Sequence, residues 1–184
     1  MVGGEELAIR YDFRVILEII TMLNDPGLDK ADKAEALLTM FYVDPEAVTN
    51  PKEAIEECFA FIDMGEHTNK KSPRLMDWEQ DFNYIISPIN RVLGQEVRAI
   101  EYDIETNTGG LHWWTFLSAY MEIGGDCLFS QIVSIRDKKA RGKKLEKYEK
   151  DWLRRNSDLV EFKVKYSDEE NELAREWMGG GKDG

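Results

Sequence analysis

The sequence predicts a mainly α-helical protein, a multi-helix bundle with no more than a minor two-stranded β element. Three observations carry that reading. Apolar residues recur at three- and four-residue spacing through most of the chain. The breaks between these stretches are short and hold proline, glycine or a helix-capping side chain. Strand-like alternation is confined to two segments, near 97–105 and 159–166.

In IRYDFRVILEIITML, the residues Ile9, Phe13, Ile16, Leu17, Ile20 and Leu23 form one helical stripe. Asn24-Asp25-Pro26-Gly27 stops it, since proline lacks the N–H a continuing helix needs and glycine accepts the turn. A second helix starts at Asp29, sets Ala34, Leu37, Leu38 and Phe41 on one face, and ends before Asp44-Pro45. The third has the clearest punctuation: Asn50 as N-cap, Pro51 at the first helical position and Glu53 as a capping carboxylate. Its stripe is Ile55, Cys58, Phe59 and Ile62, and Gly65 closes it. These helices make an N-terminal helical subdomain over 1–65, followed by a polar linker at 66–76.

The C-terminal helical subdomain is assigned to 77–178. Its first helix places Trp78, Phe82, Ile85 and Ile89 on one face, with a kink or restart expected at Pro88. Ile100, Tyr102 and Ile104 then alternate with acidic residues. Leu111 to Ile123 reads as a helix with Trp113, Phe116, Leu117 and Tyr120 on one side. Asp126 is the expected cap of the next, which carries Leu128, Ile132 and Ile135, and a charged helix follows through Leu145, Tyr148 and Trp152. Val160, Phe162, Val164 and Tyr166 alternate strictly, and 97–105 is the candidate partner for that strand. An acidic helix near 168–178 and a glycine-rich tail at 179–184 complete the reading.

Composition narrows the function classes. A hydrophobic share of 42% is enough to bury one core, and a net charge of −12 sets the body as a whole against nucleic acid and anionic membranes. Val15 to Leu23 is too short to span a bilayer and contains Glu18, and MVGGEELAIRYDF lacks the features of a secretory signal. A cytoplasmic, soluble protein with two reduced thiols, Cys58 and Cys127, is the expectation.

No enzyme signature emerges. His67 and His112 share no metal-ligand spacing, and no nucleophile elbow or phosphate-binding loop occurs. No catalytic, metal or cofactor residue is assigned, and no cofactor is expected. Interaction chemistry is better represented. Adjacent helical positions point about 100° apart, so Trp113 and Trp114 cannot share a face. One reading puts one in the core and the other over an edge; the sharper one makes one of them, with Phe116 and Tyr120, a partner anchor. From Arg136 to Arg155 there are ten basic and four acidic residues, a local net of +6. The segment reads as a solvated face, a docking site for acidic protein surfaces including copies of the chain itself, or a nucleic-acid grip. Its candidate partner-binding residues are Arg136, Lys138, Lys139, Arg141, Lys143 and Lys144.

Three motifs in order, IRYDFR, MDWEQDFNYI and LHWWTFLSAYMEIGGDCLFSQIVSIRDKK, resemble the bacteriophage gene-product-fifteen family of Gram-positive siphophages and prophages. The resemblance covers about residues 8–157. It implies a predominantly helical protein encoded between the major tail protein and the tape measure protein. Such a protein would act as a tail assembly chaperone in the host cytoplasm, coating the tape measure, recruiting tail-tube subunits and staying out of the finished virion. The implied partners are therefore the tape measure and tail-tube proteins, with self-association a further option; no membrane is implied. Asp12, Phe13, Arg14, Trp113, Phe116, Ile135 and Arg136 match the motifs and are read as holding the fold. The alternative function is a nucleic-acid-binding phage regulator or packaging factor acting through 136–155.

Overall fold

Helix α1 (Phe13–Leu23) begins where Asp12, in extended backbone, turns its carboxylate back to accept the N–H of Arg14. That is how a helix satisfies a first-turn donor that has no intrahelical partner. The computed structural model describes residues 1–65 and 72–163. The readings made for Val164 and Tyr166, for 168–178, for the 179–184 tail and for most of the 66–76 linker lie outside them. The chain is mainly α-helical with a minor β element.

The buried side of α1 is Phe13, Val15, Ile16 and Ile19, while Leu17, Ile20 and Leu23 are half-buried. Ile9 precedes the helix and forms an antiparallel bridge with Tyr42. The stripe is thus wider and rotated from the one expected, because α1 is covered by α2 (Lys30–Phe41), α4 (Trp78–Leu93) and α5 (Trp113–Met121) together. Asp29 caps α2 by accepting from Ala31 and Asp32, and Leu37 and Phe41 fill its inner face. Asn50 caps α3 (Pro51–Ile62) as expected. Glu53 instead accepts from the Asn50 side chain and from the Gly3 N–H, which pins the N-terminal segment to α3. Ala54 and Cys58 carry the buried face of α3, and burial pushes the Cys58 thiol up to about 12. Phe59, assigned to that face from its spacing, is exposed.

Helix α4 runs unbroken through Pro88, where a kink or restart was expected. The proline ring is buried beside Ile85, Ile86 and Ile89, so packing holds the helix across the hydrogen bond that proline cannot donate. Gly94, at φ 69°, closes it in the left-handed conformation.

The β element differs from the expected one in its pairing. Tyr102–Asp103 (β1) pairs antiparallel with Thr108–Gly109 (β2) and, among the described residues, not with 159–163. Asp103 Oδ1 accepts from Glu105 and Thr106 and so builds the turn locally, at far lower loop-closure cost than the remote pairing. Ser157–Val160 is a short helix (α8) that takes up the start of the alternating segment, with Val160 buried. Helix α6 (Leu128–Ala140) is capped by Cys127, whose sulfur accepts from Ser130 N–H; Asp126, the expected cap, faces Arg91 at 3.2 Å instead. Its inner face is Phe129, Ile132, Ile135 and Arg136, with Leu128 exposed. In α7 (Lys147–Arg155), Glu149 accepts from the Glu146 N–H at the helix start.

One buried cluster draws on both sides of 66–76, joining Phe13, Ile19, Leu37 and Cys58 to Ile85, Trp113 and Phe116. Among the described residues no helix is long and apolar enough to cross a membrane.

Candidate interaction surface

Residues 11–13 and 111–113 lie antiparallel. The Phe13 N–H donates to Leu111 O at 3.0 Å, and the Trp113 N–H donates to Tyr11 O at 2.8 Å. Between them the fully buried Asp12 carboxylate accepts from the Leu111 N–H at 2.8 Å as well as from Arg14 Nε at 2.9 Å. Arg14 spans onward to Ile100 O at 2.7 Å. Gly110 sits at φ 79°, and a Cβ there would collide with Asp12 Oδ2 and the Tyr102 ring. The first sequence motif therefore clasps the start of the aromatic helix, and Phe13 stacks on Phe116 at 4.5 Å.

The two tryptophans diverge as their spacing requires. Trp113 is buried against Trp78 and Phe116, while Trp114 is 42% exposed and stacks on Phe61 at 5.3 Å. They share a task that their sequence positions do not reveal. Trp113 Nε1 donates to Ile62 O at 2.9 Å, and Trp114 Nε1 donates to Phe61 O at 2.8 Å. These are carbonyls of the last turn of α3, a place where helices leave acceptors unsatisfied. Phe116 is fully buried; Tyr120 is half-buried, packed on Trp78 and Phe129, and burial raises its hydroxyl pKa.

His112 caps α5: its Nδ1 accepts from the Trp114 N–H at 3.1 Å while the ring packs against Tyr11, Phe61 and Trp114. Only the neutral ring offers that acceptor, and burial depresses its pKa. The unfolded chain therefore takes up a proton first as the pH falls through about 6.5. The contribution of this cap is complete above that pH and is lost below it as the folded value is passed. Thermal melts should show it as a gap between the wild type and His112→Asn, which keeps a capping oxygen but does not titrate. The gap should be flat above about pH 6.5 and change only below it.

Beside Trp114 opens a cleft of about 400 Å³, walled by Val2, Leu7, Ile9, Phe41, Phe61 and Met64. Glu57 and Met1 also line it. Tyr42, also in the wall, has its hydroxyl pushed up to about 12, by burial first and then by Cys58, Glu57 and Glu53.

The basic run divides. Arg136 is buried, 4% exposed, and grips the fully buried Asp81 of α4 with both guanidinium ends. It donates also to Leu75 O, Leu159 O and Val160 O, with the Phe162 ring 4.2 Å from its guanidinium carbon. Lys138 pairs with the buried Glu149, Arg141 with Asp137, and Lys139 with Glu161 at 3.8 Å. Lys143 and Lys144 are exposed and, like Lys147 and Lys150, make no ion pair among the described residues. The exposed aromatic candidate, Trp114, packs on α3, whereas Tyr120 reaches α6 through Phe129 and lies near Asp81, the partner of Arg136. Asp12, singled out by the family resemblance, is one polar anchor; Asp81 and Glu149 are two more that the sequence left unremarked.

A mainly helical chain, its faces locked by buried polar clasps, is the class of protein that this geometry defines. The family model described as Bacteriophage Gp15 protein matches residues 1–162. The chain belongs to that family, which points to a structural or assembly role in a phage. No curated protein and no solved structure matches it significantly.

Proposed function

We propose that this chain is a non-enzymatic tail assembly chaperone. It binds the tape measure protein of the phage, keeps that long helical protein soluble in the host cytoplasm, helps recruit tail-tube subunits and stays out of the virion. The observation that carries this reading is the family match across residues 1–162. The surface supports it. Phe59, Trp114, Met121, Leu128 and Tyr148 remain exposed on a body of net charge −12. A holding protein needs apolar surface for its client and like charge to keep loaded complexes apart.

Co-expression with the tape measure protein encoded beside it is the test. The tape measure should move into the soluble fraction and co-purify with this chain. Unchanged tape measure solubility, joined with DNA binding of steep salt dependence, would replace this reading with the nucleic-acid one. The geometry weighs against that alternative, since Arg136 is interior and Lys138, Lys139 and Arg141 face carboxylates.

A further inference from the structure

We propose that the open hollow between α1 and α4 is covered in cis by the chain beyond Lys163, which lays Leu173 and Trp177 into it. Leu17 and Met22 of α1, with Trp78 and Phe82 of α4, form its apolar floor; it offers about 480 Å³. These four side chains pack against the core cluster from outside and are half-buried. Apolar surface of that extent left open on two core helices marks a contact site. Its wall also carries Glu18 and Glu79. An acidic segment settling there is held by apolar burial and not by charge.

The place where the described chain ends selects the occupant. Gln80 Nε2 donates to Glu161 O at 2.8 Å, and the Lys163 N–H donates to Gln80 Oε1 at 3.0 Å. The chain is thus tied to α4 within one turn of Trp78, Glu79 and Phe82. Hollows with shared lining lead from there to the floor. Phe162 and Arg74 line one, Arg74 and Trp78 line the next, and Trp78 belongs to the floor itself. Leu173 follows Lys163 by ten residues, a reach of up to about 33 Å, or about three helix diameters. In DEENELAREW, Leu173 and Trp177 stand four apart, the spacing of one helical face. Residues 66–71, EHTNKK, hold no large apolar side chain. A tethered segment meets its site at an effective concentration on the order of millimolar, which neither a second copy nor a free partner at ordinary concentration matches. Any partner that uses this hollow has first to displace the segment, so the covered state lowers its apparent affinity. This inference does not rest on the chaperone reading, since the contact lies within one chain and is read with no other protein present.

Photo-crosslinking of the full chain tests it. On irradiation, the Trp177→benzoylphenylalanine variant should join that position to 17–22 of α1 or 78–82 of α4. The product should keep the 21.3 kDa mass of one chain at every concentration. Hydroxyl-radical labelling reads the same contact with no probe in it. Leu173→Asp with Trp177→Asp, which changes no residue of the described core, should raise labelling of Met22 and Phe82 about fivefold. Met22→Glu should raise labelling of Trp177 in the same way, which reads the contact from its other side. In the wild type the protection should persist in about 1 M salt, where exposed charge pairs are screened. Crosslinks that miss α1 and α4, crosslinks that join two chains, equal labelling of wild type and tail variant, or protection lost in high salt overturn the proposal.

Discussion

Arg136→Met should lower the free energy of unfolding by about 3–5 kcal/mol, the range expected when one partner of a buried ion pair is removed. Asp81 is fully buried and would be left charged with the Asp77 N–H as its remaining donor among the described contacts. Three carbonyls, of Leu75, Leu159 and Val160, would lose a donor in the same step. Arg136→Lys should recover little, because one ammonium cannot grip both carboxylate oxygens and reach carbonyls on two further segments. Asp81→Leu with Arg136→Met should cost less than the sum of the single changes, since no charge then stays buried. Chemical denaturation of the full chain measures all four variants; additive losses would show that the two side chains act independently. The clasp joins α6 to α4 and α8, so its loss should also open the 157–160 turn to hydrogen exchange before the rest.

That clasp marks where the sequence could have been read further. Helix positions, the start of α2 at Asp29, the cap at Asn50, and the separation of Trp113 from Trp114 follow from local rules and were legible. Residue spacing made Arg136 the start of a basic run, and only the family resemblance counted it among the residues that hold the fold. Yet it lies four residues after Ile132 on the face that Phe129 shares, and Asp81 lies four residues before Ile85. Opposite charges at apolar-face spacing on two helices are the signal of a buried pair. Other features had no local trace. The link from the tryptophan indoles to Phe61 O and Ile62 O spans about fifty residues and depends on how α5 meets α3. The described part of the expected strand, 159–163, forms no strand for a related reason. Alternation records only that every second side chain is apolar, and Arg136 instead draws the Leu159 and Val160 carbonyls into a helical turn. The cleft beside Trp114 was hidden as well, because residues 2–9, α2, α3 and Trp114 meet there only in the fold. The residues that carry the family resemblance proved mostly interior: Asp12, Phe13, Trp113, Phe116, Ile135 and Arg136 are all buried. A family signature built from such positions reports the scaffold.

Asp12→Ala should destabilise the protein by about 2–4 kcal/mol, combining a lost N-cap of about 1 kcal/mol with a buried N–H left unsatisfied at Leu111. Arg14 softens the loss, since it is partly exposed and keeps Ile100 O at 2.7 Å. Asp12→Asn should fall between, because an amide oxygen can cap α1 while its NH₂ group cannot accept from Leu111. Gly110→Ala attacks the same node from the other side: its backbone is held at φ 79° and its Cβ would press on Asp12 Oδ2. The double variant, Asp12→Ala with Gly110→Ala, should therefore lose less than the two singles together, because removing the carboxylate removes one of the collisions. Full additivity in equilibrium unfolding would show that the strained backbone and the Tyr102 ring set the cost at Gly110. Sub-additivity would show instead that IRYDFR and LHWW are held together through one carboxylate. It would then follow that the clasp forming the floor of the aromatic helix depends on a glycine that allows the two segments to approach.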